Sequence, residues 1–123
     1  MKLTKLISTA NKPWLIVAVL YTLTVVAVSL YPLPEMHWQR GSDKTVHFFM
    51  YFFLYAVWRA AGYRSLRLLI VLAGFGILIE ILQGILPVHR TADFWDATAN
   101  VAGILTAYYI WPGSPEDNPE GAP

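Results

Sequence analysis

The chain has 123 residues, of which 56% belong to the hydrophobic set AVILMFWYC and 14% are charged, against roughly 25% charged residues in ordinary globular chains. Too little charge remains to cover a soluble surface, and the net charge of +1 argues against the strongly basic face that nucleic-acid binding needs. Because the chain has no cysteine, disulfides, thiolate zinc sites, iron–sulfur clusters and cysteine nucleophiles are all excluded.

The first apolar segment runs without a charge from Trp14 to Tyr31 and is bounded by prolines. As a helix it would be roughly 27 Å long, close to the ~30 Å hydrocarbon core of a bilayer. A cleaved signal peptide is the alternative, because lysines precede the segment and a passable cleavage site lies near its end. The length of the segment and the apolar character of the rest of the chain favour a membrane helix.

Three further apolar segments lie at residues 43–61, 68–86 and 93–111. The second is rich in aromatic residues, the third carries Glu80, and the fourth carries Asp96 and Asn100. We therefore predict an all-α, polytopic membrane protein with four transmembrane helices in a compact bundle. Residues 14–111 form this domain, residues 1–13 are a cytoplasmic N-terminus, and residues 112–123 are a disordered tail.

The distribution of Lys and Arg near the helix ends predicts the orientation. With both termini in the cytoplasm, six basic residues lie inside and three outside. The inside set is Lys2, Lys5, Lys12, Arg59, Arg64 and Arg67, and the outside set is Arg40, Lys44 and Arg90.

Polar residues within the second, third and fourth segments fall at similar depths from the outer end. His47 lies roughly 6 Å and Glu80 roughly 9 Å inside their helices, and Asp96 and Asn100 roughly 5 and 10 Å inside theirs. Charged groups in a bilayer cost roughly 2.5–3.5 kcal/mol each and usually face protein or water. The pattern predicts one outward-facing polar pocket, to which Gln83 and Tyr51 also contribute by helical spacing.

Simpler interpretations exist for several of these residues. His47 and Gln83 are equally suited to interhelical hydrogen bonds, Asp93 to a helix N-cap, and Asp43 with Lys44 to an interfacial pair. Glu80 favours a functional role, because a carboxylate at that depth must be paired, protonated or hydrated. Close helix packing is predicted at four glycines, which are Gly74, Gly76, Gly84 and Gly103.

Three motifs together resemble the VanZ-like family. They are Ser42 to Tyr51 (SDKTVHFFMY), then Glu80-Ile81-Leu82-Gln83 with Pro87 and Arg90, then Asp96 to Gly103 (DATANVAG). The resemblance covers just over half the chain. It departs in one extra residue between Pro87 and Arg90, and in Ala107, where a glycine is common in the family.

The resemblance implies a small multi-pass protein of the bacterial cytoplasmic membrane, linked through its family to teicoplanin resistance. The residues carried over as a polar network are His47, Glu80 and Asp96 as candidate acid/base groups, and Asp43, Lys44, Tyr51, Gln83, Arg90 and Asn100 as candidate ligand-binding groups. Expected partners are membrane lipids and a lipid-linked cell-wall precursor or glycopeptide, with no nucleic acid; a homo-oligomer is left open.

Four hypotheses for the activity arise from these residues. The first is binding or remodelling of an anionic lipid-linked component, with Lys44 and Arg90 as the cations. The second is an intramembrane enzyme that uses His47 or Glu80 as general acid/base. The third is a small proton-coupled transporter, and the fourth a structural subunit. No cofactor and no metal is predicted, because His47, Glu80, Asp93 and Asp96 lack a diagnostic ligand spacing.

Overall fold

Four α-helices account for nearly all of the described chain. The computed structural model describes residues 11–31, 42–63, 66–88 and 92–111, without the side chains of residues 42 and 43. The helices are α1 (Lys12–Leu30), α2 (Ser42–Ala60), α3 (Leu66–Ile85) and α4 (Phe94–Ile110). The all-α prediction is confirmed for this part of the chain, with each helix within two residues or so of its predicted segment. The predicted tail at 112–123 and residues 1–10 of the predicted N-terminal segment lie outside the described residues.

Local signals in the sequence set several helix ends. The Asn11 side chain accepts a hydrogen bond from the Trp14 N–H at 3.5 Å, and Pro13 occupies the first turn of α1. Asp93 caps α4 by accepting from the Trp95 N–H at 2.8 Å, which confirms the N-cap interpretation of this residue. α2 ends at Ala60, and the turn that follows contains Gly62, whose φ of 109° lies in the left-handed region that glycine adopts without strain.

The helices pack in the cyclic order α1–α2–α4–α3, and the α2–α4 contact is the most extensive. α2 and α4 run parallel, whereas α1 and α3 run antiparallel to them. Gly103 explains the closeness of α2 and α4, because a Cβ at this position would overlap the Phe48 carbonyl oxygen and lie 3.1 Å from the Phe52 nitrogen. The prediction of a close backbone approach at Gly103 is confirmed.

The three glycines of α3 differ in their surroundings. A Cβ on Gly76 would lie 2.9 Å from Tyr51 Cε1, and one on Gly84 would lie 2.9 Å from Ala92 Cβ, so both permit close packing. A Cβ on Gly74 would meet nothing within 4 Å. The prediction of a close contact at Gly74 was wrong, because this residue lies on the outer side of α3.

Two described helices, α1 and α3, have the length and apolar composition that a membrane span requires. The other two helices carry charged residues near their beginnings, and α4 has 17 residues. Composition alone therefore supports two spans, and the predicted four-span topology is not established by it. The outer faces of all four helices are nevertheless apolar, with exposed large side chains such as Leu20, Phe53, Val71 and Tyr109.

Candidate functional site

Polar side chains of α2 and α4 form one connected cluster at the end of the bundle where both helices begin. Lys44 Nζ lies 3.3 Å from Asp96 Oδ1 and 3.6 Å from Asp93 Oδ2. His47 Nδ1 lies 2.9 Å from Asn100 Oδ1, and His47 Nε2 lies 3.8 Å from Asp96 Oδ2. We call these five residues the end network. Because α2 and α4 are parallel, Lys44 and His47, one turn apart, meet Asp96 and Asn100, also one turn apart.

Both ring nitrogens of His47 face protein groups. Nδ1–H donates to the Asn100 side-chain oxygen, and Nε2 faces the Asp96 carboxylate, which accepts a hydrogen bond from Lys44 Nζ. The His47 side chain is 12% exposed and that of Asp96 is 13% exposed. This arrangement fixes the imidazole between α2 and α4. His47 can serve as an acid or base only if a substrate group replaces Asn100 or Asp96 at one of its ring nitrogens.

A second polar group lies inside the bundle between α1, α2 and α3. It consists of four almost fully buried residues, which we call the interior group: Ser29, Tyr51, Glu80 and Gln83. Gln83 Nε2 donates to the Ser29 carbonyl oxygen at 2.8 Å. Tyr51 packs against α3 at Gly76 and interacts electrostatically with Glu80. The interior group therefore links three helices at the same end of the bundle as the end network.

The register of α3 against α4 explains why Glu80 and Asp96 join different groups. Gly76 lies opposite Asn100 and Gly84 lies opposite Ala92, so the antiparallel register places Glu80 opposite Asp96. Cα–Cβ bonds tilt toward the N-terminus of their own helix. The side chain of Asp96 therefore leans toward the end of the bundle, and the side chain of Glu80 leans toward its middle.

The comparisons with known proteins identify the family. The family model VanZ/LLP1 matches residues 14–113, which covers the four helices except for the first two residues of α1. The chain belongs to the VanZ/LLP1 family. No match was found among curated proteins or among solved structures. The family resemblance stated from the sequence motifs is confirmed, and the protein is a VanZ-type envelope protein.

The structure of this VanZ-type protein brings most of the candidate site residues to one end of the bundle. Four of them lie in the end network, and three in the interior group. These are Lys44, His47, Asp96 and Asn100 in the first, and Tyr51, Glu80 and Gln83 in the second. Arg90 and the side chain of Asp43 lie outside the described residues. Among the described residues, the predicted members of one pocket form two adjacent groups at the same end of the bundle, and the single pocket stays a prediction.

Ser29 belongs to the interior group but was not predicted as a site residue from the sequence. Its residue type is common in membrane helices, and its position near the end of α1 suggested only a cleavage site. The signal that could have found it is helical spacing. Ala18, Val25 and Ser29, separated by seven and four residues, form the buried face of α1.

The opposite end of the bundle contains a shallow cleft and no part of either polar group. The cleft is lined by Ala56, Arg59, Ala60 and Trp111. Arg59 Nε donates to the Trp111 carbonyl oxygen at 2.8 Å, which satisfies an acceptor at the C-terminus of α4. Arg59 therefore contributes to ending α4 and lies far along the bundle from the end network.

The described residues contain no cluster of three or more His, Asp or Glu side chains placed to hold a metal ion. The hydrogen bonds of the end network explain this. Lys44 occupies the space between Asp93 and Asp96, and His47 directs a nitrogen to Asn100.

Proposed function

We propose that this VanZ-type protein is a multi-pass protein of the bacterial cytoplasmic membrane that binds an anionic lipid-linked envelope component. The observation that supports this most directly is the distribution of polarity. Buried or half-buried polar side chains from all four helices gather at one end of a bundle whose outer faces are apolar. Such one-sided polarity fits the recognition of a headgroup at one membrane surface.

Packing supports four membrane spans, although α2 and α4 carry charges. The Tyr21 hydroxyl donates to the Met50 carbonyl oxygen at 2.8 Å, and Trp58 Nε1 donates to Thr22 Oγ1 at 2.9 Å. These bonds hold α2 along the apolar middle of α1. A helix fixed in this way lies at the same depth as its neighbour, so α2 crosses the membrane if α1 does. Because α4 packs extensively against α2, α4 crosses the membrane if α2 does.

Orientation follows from the same arrangement. The end network lies beside the α1–α2 and α3–α4 connections, and the α2–α3 connection lies at the opposite end with Arg59. The excess of Lys and Arg at that opposite end favours its placement in the cytoplasm. We therefore place both termini in the cytoplasm and the end network at the outer surface of the membrane.

Lys44 is the described cation that a headgroup at this surface would meet. Its side chain is 39% exposed and contacts two carboxylates, of which Asp93 is itself 37% exposed. An anionic headgroup could replace the Asp93 contact while Asp96 continues to hold the ammonium in place. In this proposal Arg90 supplies a second cation. His47 and Asn100 position Asp96, which in turn holds the Lys44 ammonium in place for the headgroup.

The first test measures binding directly. Protein purified in native-lipid discs is assayed by mass spectrometry for retained anionic polyprenyl lipids, in the wild type, Lys44→Gln and a control, Thr98→Val. Thr98 is exposed on the first turns of α4, and its hydroxyl is bonded to its own helix at 2.9 Å. We expect retention by the wild type and Thr98→Val and a loss of about tenfold in Lys44→Gln. Equal retention by all three would contradict the proposal.

The second candidate function is an intramembrane enzyme that acts on the same class of lipid. The burial of Glu80 beside Tyr51 favours it, since a carboxyl in such surroundings can exchange a proton with a bound substrate. Glu80→Gln keeps the size of the side chain and removes its titration. Under the enzyme hypothesis this variant keeps the lipid and loses function. Under the binding hypothesis it keeps both.

Teicoplanin and vancomycin susceptibility in a sensitive Gram-positive host provides the functional readout. The strains express the wild type, Lys44→Gln, Glu80→Gln or His47→Ala at equal membrane abundance. We expect protection against teicoplanin by the wild type and loss of protection with Lys44→Gln and His47→Ala. Absence of protection by the wild type would reject the resistance activity for this member and leave the binding measurement to decide the ligand.

A further inference from the structure

Two buried hydroxyl groups of the interior group lack a hydrogen-bond partner within the described part of the chain. Tyr51 is 0% exposed and Ser29 is 2% exposed, and neither Tyr51 Oη nor Ser29 Oγ forms a hydrogen bond with another described group. Other tyrosines of the bundle behave differently. The Tyr21 hydroxyl donates to Met50 O, and the Tyr55 hydroxyl donates to Trp111 O at 3.4 Å. Buried hydroxyls are rarely left in this state, so these two require an explanation.

The geometry places the Tyr51 hydroxyl on the Glu80 side of its ring. The ring edge at Cε1 lies against Gly76, one turn of α3 before Glu80. The Tyr51 side chain leans toward the start of α2, which is the end at which α3 finishes, and the Glu80 side chain leans back toward Gly76. The two side chains therefore converge, in agreement with their electrostatic interaction.

Ser29 continues the same polar line toward the end of the bundle. Gln83 comes one turn after Glu80 on α3, and its amide nitrogen is bonded to the Ser29 carbonyl oxygen. The hydroxyl of Ser29 thus lies on the buried face of α1 beside Gln83. Polar groups run from Tyr51 past Glu80 and Gln83 to Ser29 along the seam that α3 makes with α1 and α2. This seam is packed much less extensively than the α2–α4 pair.

We infer that the seam between α3, α1 and α2 binds hydroxyl groups through Tyr51 and Ser29, supplied by water or by a sugar of the lipid-linked component. A hydroxyl accepts a hydrogen bond from Tyr51 Oη–H and donates its own hydrogen to the Glu80 carboxylate, which has acceptor sites for several such bonds. A second hydroxyl would bond Ser29 Oγ. If a sugar supplies the hydroxyl groups, the inference rests on the proposed function; if water supplies them, it does not.

The first arm tests for water. Purified protein in lipid discs is exposed to a synchrotron X-ray pulse, which converts bound water to hydroxyl radicals that modify side chains beside it. Tyr55 is the matched control, because it is equally buried, lies one turn further along α2 and already has an acceptor. Strong modification of Tyr51 with little modification of Tyr55 would support the site with water as its occupant.

The second arm tests for a sugar. Affinities are measured for a polyprenyl diphosphate that carries a disaccharide and for the same polyprenyl diphosphate without sugar, with the wild type, Tyr51→Phe and Tyr55→Phe. Sugar as the occupant predicts tighter binding of the glycosylated lipid by about tenfold in the wild type and in Tyr55→Phe. This preference is lost in Tyr51→Phe, where only the hydroxyl has been removed.

The outcomes separate the site from the proposed function. If neither lipid binds but Tyr51 is modified, the proposed function fails and the hydroxyl site stands. If Tyr51 is modified no more than Tyr55 and Tyr51→Phe keeps the lipid preference of the wild type, the inference is overturned. In that case Tyr51→Phe should also raise the melting temperature, because it removes a buried hydroxyl that nothing satisfies.

Discussion

Individual polar residues of this VanZ-type protein are held mainly by their neighbours across helix seams. The amide of Asn100 is 1% exposed and meets His47 at 2.9 Å, whereas Lys44 is partly exposed and contacts two carboxylates. Burial decides how much each contact matters. A buried pair cannot exchange its hydrogen bond for one with water. An exposed ion pair can, so the net contribution of the exposed pair to stability is small.

The His47–Asn100 hydrogen bond should be measurable as an interaction free energy. His47→Leu, Asn100→Leu and the double variant form a double-mutant cycle, analysed by chemical unfolding in micelles. We expect a coupling of about 0.5–2 kcal/mol, typical of interhelical hydrogen bonds in membrane proteins.

The control cycle pairs His47→Leu with Thr24→Val. Thr24 is exposed on α1, and its hydroxyl is bonded to Leu20 O in its own helix at 2.8 Å. This cycle should give a coupling close to zero. A His47–Asn100 coupling as small as that of the control would mean that the contact contributes nothing to the stability of the bundle.

Helix packing is decided by a few small residues at the seams. Gly103 allows the backbones of α2 and α4 to meet, and Gly76 makes room for the ring of Tyr51. Gly74 belongs to the same glycine-rich stretch of α3 but faces open space. The three positions therefore provide a graded series in which the added methyl group is constant and only its surroundings change.

Substitution by alanine should reproduce this series. Gly103→Ala places a methyl group against the Phe48 carbonyl, which is backbone and cannot move aside, so a loss of about 2 kcal/mol or more is expected. Gly76→Ala meets the edge of the Tyr51 ring at 2.9 Å and should cost less than Gly103→Ala.

Gly74→Ala is the control for both substitutions. It should be neutral or stabilising by up to about 1 kcal/mol, because alanine favours the helix. Thermal unfolding followed by size-exclusion chromatography ranks the three variants. A Gly103→Ala protein as stable as Gly74→Ala would contradict the close α2–α4 approach.

The whole molecule is a bundle in which the four described helices pack side by side. The two most apolar helices are α1 and α3, and the charged beginnings of α2 and α4 lie together at one end. Topology is therefore the property of the molecule most open to a direct test. Because the chain has no cysteine, a single introduced cysteine is the only thiol that a maleimide can label in this protein.

We expect a membrane-impermeant maleimide to label Ala92→Cys in intact cells, and Ser65→Cys only after the cells are opened. Ala92 is exposed beside the start of α4, and residue 65 immediately precedes α3. If only α1 and α3 crossed the membrane, the connection after α2 would stay outside and residue 92 would be inside. The labelling pattern would then be reversed, which would reject the four-span proposal.

Local patterns in the amino-acid sequence were sufficient to predict the helices, their approximate ends and the family. Runs of apolar residues bounded by proline or glycine predict helices locally, and caps such as Asn11 and Asp93 act within one turn. The three motifs were sufficient to identify the family. These features depend on near neighbours in the chain, so they can be inferred without knowledge of the packing.

The division of the polar residues between the end network and the interior group became visible only in the packed bundle. The sequence placed His47, Glu80, Asp96 and Asn100 at similar depth but could not give the rotation or register of one helix against another. The parallel α2–α4 contact brings His47 to Asn100. In the antiparallel α3–α4 register, Glu80 lies near Tyr51 and not in the group that contains Asp96. Register and rotation depend on the contacts of the whole seam, which no local pattern specifies.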